Sequence, residues 1–384
     1  MPNISNKQRK ILALLDGSAV ESEPIEGTAS KRGEPSPAPL LNTFSALELQ
    51  HMDIPPIEWI VDGLLPHGLG ILASPSKYGK SWMVLDLCLN VAAGGKFLGF
   101  KTTMCDCLYL ALEDSQRRLK ERMNAILNGV NAPSGFYYAT TTHVIGSGLF
   151  EELESHLGQH PDTRLIVIDT LQKVRSGAYA GEGAYAADYR ETGALKEFAD
   201  FHNLAVVLVY HLRKMKDDGD PFNRISGTNG IMGAADTIMV LTREKRKDTN
   251  TLVSVTGRDV ESGETIIRFN KSTHRWESLG DADRYAEQQA RADYETAPLV
   301  QTIKKLLEDN PDGWSGTMQQ LMDAGKEITG IYISATPTTL SKDLKAIDIL
   351  LFDNDRISHT VIKNGSGAKK HKLCYVGNRA NKSD

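Results

Sequence analysis

The stretch SPSKYGKS, residues 74–81, contains the residue types that bind phosphate. It ends in Gly79, Lys80 and Ser81, the last three positions of the GxxxxGKS/T loop, although Ser74 stands where the first glycine would be. The apolar run GLGILAS precedes it and the helical pattern KSWMVLDLCLNVAAGG follows. Backbone amides at a helix amino end, a lysine charge and a hydroxyl for Mg²⁺ together suit a nucleotide phosphate. The spacing therefore predicts a site for ATP and Mg²⁺, with an ordinary strand–helix turn as the alternative.

The missing first glycine does not exclude this site. Pro75 restricts Ser74 to extended backbone, and Gly79 is the position where a side chain would intrude on the phosphates. The predicted nucleotide-binding residues are Ser74, Pro75, Ser76, Lys77, Tyr78, Gly79, Lys80, Ser81 and Trp82.

Three polar residues end apolar runs elsewhere: Glu113 closes CLYLALE, Asp169 closes RLIVID and His211 closes LAVVLVYH. The carboxyl ends of parallel strands meet at the edge where such sheets bind ligands. We expect Asp169 to hold Mg²⁺ with Ser81, and Glu113 to orient or deprotonate the attacking water. His211 would sense the terminal phosphate. The alternatives are a turn-capping role for Asp169, a purely structural His211, and a helix cap at the adjacent Asp114.

The elements that must position these residues alternate between apolar runs and amphipathic segments. RLIVID and LAVVLVYH are almost wholly apolar, as expected of parallel strands buried on both faces. After Ala235, DTIMVLTRE, TLVSVTGRD and ETIIRFNK are separated by hairpin-length gaps. Residues 46–281 are therefore predicted to form an α/β domain, a mostly parallel sheet with an antiparallel flank.

The rest of the chain divides into three further segments. Residues 1–45 are rich in Ser, Pro, Gly and Glu, which predicts a disordered arm. Residues 282–298 are polar and helical in character, a predicted linker. Residues 299–384 show three helical patterns and then two strands around a Gly-rich turn, which suggests a small winged helix-turn-helix domain for DNA or a partner.

Composition places few limits on function. The net charge of −5 does not indicate nucleic-acid binding, but a local basic face can act within an acidic chain. The four cysteines do not suggest a disulfide framework, and the apolar run 11–15 is too short for a signal peptide. No stretch approaches the roughly 20 apolar residues of a membrane helix. We expect a soluble, cytoplasmic protein.

Taken in order, SPSKYGKS, YLALED, LIVIDT, VLVYHLRK and GAAD resemble the RecA-like ATPases related to the hexameric RepA-type replicative helicases. Many phage and mobile-element ATPases have this form, and the resemblance covers roughly residues 51–280. It implies Lys80 and Ser81 at the phosphates and Mg²⁺, Glu113 as catalytic base, Asp169 as the acid beside Mg²⁺, and His211 as sensor. It also implies a homo-oligomer, expected to be a hexamer, with ATP between subunits.

The resemblance further implies an arginine finger from the neighbouring subunit. SVTGRDVESG resembles the strand–turn that carries this finger in related hexameric helicases, so Arg258 is the candidate. Such a finger can raise the rate by about 10³ to 10⁵. Thr256 stands where that pattern often has lysine, Tyr210 where relatives often have histidine, and Arg243 in LTREK is the competing finger.

DNA contacts are expected in two regions. RecA-like ATPases line a central channel with the loops after the Asp169 and His211 strands, and the first loop here also carries Tyr179, Tyr185 and Tyr189, which suit base stacking. The C-terminal basic hairpin suits duplex DNA, although winged helices also bind proteins. The predicted DNA-binding residues are Lys173, Arg175, Arg213, Lys214 and Arg224 in the loops, and Lys369, Lys370 and Lys372 in the hairpin.

These observations predict an ATP-hydrolysing, DNA-dependent motor, a RepA-like replicative helicase of a phage or mobile element. It would act on single-stranded DNA in the ring channel together with replication partners. Two alternatives stay open: a RadA-like recombination or repair ATPase, and an ATP-dependent DNA-binding regulator without unwinding activity.

Overall fold

The computed structural model of the chain describes residues 43–179, 181–212, 220–225, 229–243, 245, 247–362 and 369–377. Two compact units are present, Met1–Ala282 and Asp283–Asp384. Most of the predicted N-terminal arm, residues 1–42, and the DNA-contact candidates Arg213 and Lys214 lie outside the described residues.

In chain order, the elements of the first unit are α1 (Ala46–His51), β1 (Trp59–Val61), β2 (Leu65–Pro66), β3 (Gly68–Ser74), α2 (Lys80–Ala93), β4 (Lys96–Phe97), β5 (Phe100–Lys101), β6 (Asp106–Ala111), α3 (Gln116–Leu127), β7 (Phe136–Ala139), α4 (Leu149–Gln159), β8 (Thr163–Asp169), α5 (Leu171–Val174), α6 (Ala184–His202), β9 (Ala205–His211), a 3₁₀ turn (Pro221–Arg224), α7 (Asn229–Ala234), β10 (Thr237–Thr242), β11 (Asn250–Gly257), β12 (Gly263–Asn270) and β13 (Arg275–Asp281).

The central sheet has the strand order β13-β12-β11-β10-β3-β9-β8-β6-β7. From β10 to β7 every neighbouring pair is parallel, and from β10 to β13 every pair is antiparallel. The predicted α/β class, a mostly parallel sheet with an antiparallel flank, is confirmed. β7 and β13 are additional strands that the sequence patterns did not indicate.

The middle strands are buried because helices cover both faces of the sheet. Every residue of β3 is buried, as are the first five of β9. Alternate side chains enter two separate cores, so that Val207 packs with residues of α2 whereas Val206 and Leu208 pack with residues of α4 and α6. Strands held in this way cannot slide, which fixes the positions of the polar residues that follow them.

The amino end of β3 is fixed by a buried carboxylate. Gly68 has φ +110°, and the Leu69 backbone N–H donates to Asp236 Oδ2 at 2.7 Å. Lys196 Nζ lies 2.9 Å from the same oxygen. A Cβ at Gly68 would come within 2.2 Å of it, so only glycine fits both the conformation and the contact.

The second unit has its own hydrophobic core, which includes Leu299, Ile303, Leu340 and Leu344. Its sheet has the order β14-β16-β15 with antiparallel pairs, one strand more than the sequence patterns indicated. The last of the three helical patterns expected in residues 299–384, TPTTLSKDLKAIDILL, corresponds to two helices that meet at Ile347. The elements of this unit are α8 (Ala282–Thr296), α9 (Pro298–Asp309), β14 (Trp314–Gly316), α10 (Met318–Thr329), α11 (Pro337–Ala346), α12 (Asp348–Asp355), β15 (Ile357–Ile362) and β16 (Lys370–Tyr375).

Within the described part of the chain, no helix combines the length and the apolar character needed to cross a bilayer.

We expect Gly68→Ala to lower the free energy of unfolding by about 3–5 kcal/mol. Alanine at positive φ costs about 1–2 kcal/mol, and loss of the buried hydrogen bond to the Asp236 carboxylate adds about 1.5–3 kcal/mol. Gly63→Ala is the matched control, since Gly63 also has positive φ, +69°, but a Cβ there meets nothing within 4 Å. Urea unfolding of both variants measures the difference. Equal destabilisation would contradict the proposed clash.

Candidate functional site

The loop between β3 and α2 closes at Gly79, which has φ +90° and precedes the first residue of α2. A Cβ at Gly79 would lie 3.0 Å from the Trp276 ring of β13, so the close approach of that ring also favours glycine. No described side chain caps the amino end of α2. The first amides of the helix therefore have no side-chain acceptor, which suits them to an anion.

Lys80 is buried within this loop, with 5% of its surface exposed. Its Nζ donates to Ser74 O at 2.8 Å, to Ser74 Oγ at 3.0 Å and to Pro75 O at 3.2 Å. Burial lowers the pKa of Lys80 to about 8, while the charges of Asp169 and Glu113 act in the opposite direction. Ser74 is the last residue of β3 and is not among the residues of positive φ, so the serine is unstrained there. Its hydroxyl also contacts Lys80, a contact that glycine would not make.

Asp169 is the last residue of β8 and is 3% exposed. The Tyr109 hydroxyl donates to its Oδ2 at 2.8 Å. Burial raises the pKa of Asp169, and hydrogen bonds from Ser81 and Tyr109 oppose that shift. The Ser81 hydrogen bond shows that the two predicted Mg²⁺ ligands meet, although they are far apart in sequence.

Glu113 and His211 complete the group. His211 Nδ1 lies 3.1 Å from Lys80 Nζ, and its Nε2 lies 3.6 Å from Glu113 Oε2. The Thr170 hydroxyl donates to Glu113 Oε1 at 3.3 Å. Both Glu113 and His211 remain partly exposed, with 42% and 36% of their side chains accessible. Glu113 is therefore accessible to water, and the His211 ring lies between it and Lys80.

The neighbouring carboxylate has a different environment. Asp114 pairs with Arg118 at 2.9 Å and with Arg122 at 2.5 Å, both on α3. The Ser115 hydroxyl, rather than Asp114, accepts the capping bond from the Arg118 backbone N–H. Asp114 thus secures the start of α3 and turns away from Lys80.

The antiparallel flank supports the loop in a way that the sequence patterns did not indicate. The Arg243 guanidinium lies 4.8 Å from the Tyr78 ring centre, and its Nε donates to Thr251 Oγ1 at 2.7 Å. Trp276 Nε1 is buried and has no hydrogen-bond partner among the described residues. Arg243 therefore lies beside the phosphate loop of its own chain. The sequence patterns did not indicate that Trp276 lies beside the phosphate loop, because they did not predict β13. A tryptophan that follows a turn is the one local feature that points to a buried strand there.

The same strand also holds α2. Arg275 Nη1 lies 3.1 Å from Asp86 Oδ1 and donates to Asn90 Oδ1 at the same distance. Burial raises the pKa of Asp86 to about 6, against the effects of Arg275 and Asn90. Trp82, predicted to bind nucleotide, packs on the flank, with its ring 5.6 Å from Phe269.

Arg258 lies at the opposite edge of the sheet from its own phosphate loop. Thr237 pairs with both Gly70 near the start of β3 and Gly257 at the end of β11, and the Arg258 backbone N–H donates to Asp236 O at 2.9 Å. β3 runs about 20 Å from that edge to the loop, at about 3.3 Å per residue. The Arg258 side chain is 58% exposed and its Nη1 lies 3.4 Å from Asp236 Oδ1. It therefore cannot reach the loop of the same chain.

The predicted DNA contacts have different environments. Lys173 is exposed on α5. Arg175 is drawn inward, with Nη2 2.5 Å from Asp188 Oδ1 and Nε 2.6 Å from Glu191 Oε2. Its DNA contact stays a prediction, but the structure places it in an internal ion-pair network. Arg224 lies in the 3₁₀ turn with its Nε buried and unpaired among described atoms. In the second unit, Lys369, Lys370 and Lys372 are exposed.

A protein-family model described as an AAA domain matches residues 34–217, which include the phosphate loop, Glu113, Asp169 and His211. This match supports an ATPase. Among solved structures, the chain is similar to an isolated ATPase domain, with 15% identity and a TM-score of 0.46 over 56% of this chain and 85% of that one. It is also similar to a DnaB-like replicative helicase described with its primase interactions, with 14% identity and a TM-score of 0.45 over 55% of this chain and 57% of that one. The chain thus spans little more than half of the second structure. The search of curated proteins gave no match.

Proposed function

We propose that the first unit is a RecA-like ATPase whose hydrolysis of ATP drives a motor on DNA. The convergence of Lys80, Ser81, Glu113, Asp169 and His211 at one edge of the sheet carries this proposal. The uncapped amides of α2 and the Lys80 ammonium would hold the phosphates, and Ser81 with Asp169 would hold Mg²⁺. Bound Mg²⁺ would offset the negative charge of the phosphates.

The remaining side chains have roles that follow from their contacts. Glu113 is accessible to water and would accept the proton of the attacking molecule. His211 lies between Glu113 and Lys80, so a change at the phosphates would reach β9 through its ring. Tyr109 holds Asp169 in place from the buried side. Through His211, the site thus connects a proton acceptor to the carboxyl end of β9.

The position of Arg258 favours a site shared between copies of the chain. A guanidinium about 20 Å from its own phosphate loop can assist catalysis only at the loop of another subunit. Arg243, the competing candidate, lies beside its own Tyr78 and would act within one chain. We therefore propose a homo-oligomeric ring, expected to be a hexamer, with Arg258 as the finger.

We further propose that the protein is a RepA-like replicative helicase of a phage or mobile element, because its motifs occur in the same order as in that family. A RadA-like recombination or repair ATPase and an ATP-dependent DNA-binding regulator are the alternatives. ATP-driven strand displacement on a forked DNA substrate separates the helicase from both. ATP hydrolysis without strand displacement would contradict the proposed helicase activity.

We further propose that the second unit is a winged helix-turn-helix domain that binds duplex DNA. Its elements follow the order α9, β14, α10, α11, α12, β15 and β16, so α11 comes after α10, and α12 lies in the chain between α11 and the antiparallel pair β15–β16. The exposed side chains of α11 include Thr338, Lys342 and Lys345. Lys342 and Lys369 line one groove beside the start of α10. Such a face offers cations and hydroxyls to phosphates.

Lys80→Ala should reduce ATP hydrolysis to the detection limit, because Lys80 is the only buried lysine or arginine among the described residues and the exposed Lys77 does not occupy its position. Loss of a buried ammonium should leave the thermal unfolding midpoint unchanged or slightly raised. Lys96→Ala, an exposed lysine on β4, is the control and should retain activity. Phosphate release in steady state is the measurement. Turnover by Lys80→Ala close to that of the unaltered protein would refute the assignment of the site.

Mixing experiments test the finger. If Arg258 acts on a neighbour, Arg258→Ala subunits added to unaltered protein should lower activity more steeply than simple dilution. In that mixture Lys80→Ala, Arg258→Ala double variants should reduce activity no less than either single variant, since they damage two interfaces. A linear fall would show only that the sites work independently, so the deciding mixture combines Lys80→Ala with Arg258→Ala subunits. If Arg258 acts on a neighbour, an intact loop can meet an intact arginine at some interfaces and phosphate release should partly return. No return in that mixture would exclude the shared site.

Charge reversal tests the second unit. Lys342→Glu should weaken binding to duplex DNA about tenfold or more and reduce the slope of log affinity against log salt by about 1 for the lost phosphate contact. Lys305→Glu makes the same charge change on α9, away from α11, and should have a smaller effect. Equal duplex affinity of both variants and the unaltered protein, measured by fluorescence anisotropy, would make this unit a protein-interaction module.

A further inference from the structure

Three titratable side chains of the second unit form one hydrogen-bonded row. His359 of β15 lies in the middle, with its Nδ1 2.7 Å from Asp348 Oδ1 at the start of α12 and its Nε2 2.8 Å from His371 Nδ1 on β16. The planes of the two imidazole rings differ by 14°. We propose that this row couples the binding of a duplex-DNA phosphate to the uptake of one proton, an inference that rests on the proposed DNA binding by the second unit.

The pairing of β15 with β16 brings the two histidines together. Val361 is opposite His371, so His359 is the diagonal neighbour of His371 on the same face of the sheet. The His359 side chain is 5% exposed and His371 is 4% exposed, whereas Asp348 retains 35%. Buried imidazole nitrogens need hydrogen-bond partners, and each ring supplies one to the other. The Asp348 carboxylate can then compensate for a positive charge within the row.

The carboxylate at one end of the row determines where its protons lie. Ionised Asp348 accepts a hydrogen bond from His359 Nδ1–H, so the Nε2 of a neutral His359 is an acceptor. His371 then donates through its Nδ1–H, and its own Nε2 carries a lone pair. One added proton turns this Nε2 into an N–H donor, whether the positive charge stays on His371 or passes to His359 by transfer of the Nδ1 proton. The protonated row therefore presents a donor where the neutral row presents an acceptor.

His371, at one end of the row, lines the groove that also contains Lys342 and Lys369. The hydroxyl side chains of Thr338 and Ser341 on α11 line the same groove. Among the described residues, His371 is hydrogen-bonded only through Nδ1, so its Nε2 remains for a ligand. A lone pair at Nε2 repels a phosphate oxygen, whereas an N–H beside two lysines attracts it. The protonation state of the row therefore decides whether His371 favours or opposes a phosphate in this groove.

The surroundings of His371 oppose its protonation in the free protein. Burial lowers the pKa of His371, the charges of His359 and Lys369 lower it further, and Asp348 acts in the opposite direction. A bound phosphate would place a negative charge beside the ring and raise that pKa. The gain in affinity is therefore complete below the pKa of the free protein and is lost as the pH rises through the pKa of the complex.

The other elements packed on β16 add few charges to this balance. α11 contributes Lys342, whereas the start of α10 lines the groove with the uncharged Met318 and Gln319. β14 has no titratable side chain, and Lys304 of α9 is paired with Asp355 at 2.9 Å. The charged side chains that line the described part of the groove are thus cations. A phosphate is the ligand whose charge would favour the protonated row.

Fluorescence anisotropy with full-length protein and a labelled duplex, at constant ionic strength and without nucleotide, measures the affinity from about pH 5.5 to about pH 8. The unaltered protein should bind about tenfold or more tightly at the lower pH, as expected for a hydrogen bond to a charged group. His371→Asn keeps a partner for His359 Nε2 but cannot take up a proton, so the difference should fall to about twofold or less. His51→Asn, which replaces an exposed histidine of α1, is the control and should keep the full difference.

Asp348→Asn tests the row as a whole. Asparagine keeps an oxygen acceptor for His359 Nδ1–H but removes the charge that favours the protonated state. The rise in affinity should therefore move about one pH unit lower. A merely structural role of Asp348 would leave the pH of that rise unchanged.

Thermal unfolding at each pH checks that every variant is folded, and His371→Gln, which also cannot take up a proton, replaces His371→Asn if that variant is not. Equal duplex affinity of the unaltered protein at both ends of the pH range would refute the coupling and leave the proposed DNA binding intact. The same holds if the variant at His371 retains the full pH difference. If that variant loses the difference but Asp348→Asn does not move it, His371 titrates alone and the row is refuted. If the unaltered protein binds the duplex at no pH, the proposed DNA binding falls together with the coupling.

Discussion

The site depends on the burial of parallel strands from both sides. β3, β8 and β9 have apolar side chains on both faces, so their polar chemistry can appear only where the strands end. The pairing register then sets which ends meet: Ser74 is opposite His211, and Asp169 is opposite Ala111, two residues before Glu113. A slip of one residue would turn these side chains to the other face. The geometry of the proposed nucleotide site is therefore a consequence of core packing as much as of the loop sequence.

Lys80 is buried within the loop that precedes it, and oxygen atoms of that loop hold its ammonium in place. An ammonium with 5% exposure is costly unless its donors are satisfied, and Ser74 and Pro75 supply oxygen atoms from the loop itself. These contacts keep the charge beside the amino end of α2, where phosphate would compete for the same donors. The serine that replaces the usual first glycine takes part in this arrangement through its hydroxyl. Serine in place of the first glycine is therefore compatible with a loop that holds the Lys80 ammonium.

Strand ends and the phosphate loop could be predicted because their signals are local. The apolar runs before Asp169 and His211, four and seven residues long, can be recognised without tertiary information, and the structure brings both polar residues to Lys80. What could not be predicted depends on partners distant in sequence. Trp276 reaches Gly79 across about two hundred residues, and Arg275 pairs with Asp86 over a similar interval. Arg175 looked like a free cation in a Gly-rich loop, yet two acids on α6 hold it. Neither outcome has a pattern that a single sequence reveals.

The phosphate loop and Arg258 lie at opposite edges of the central sheet. At the carboxyl edge stands the phosphate loop with Glu113 and His211, and at the amino edge stands Arg258, held by Asp236. Asp236 also accepts a hydrogen bond from the Leu69 backbone N–H at the start of β3. The strand that ends at the phosphate loop therefore begins beside the carboxylate that pairs with Arg258. A strand buried along its length transmits displacement better than a loop does. In a ring, this arrangement would let the nucleotide at one interface influence the arginine offered to the next through a single rigid element.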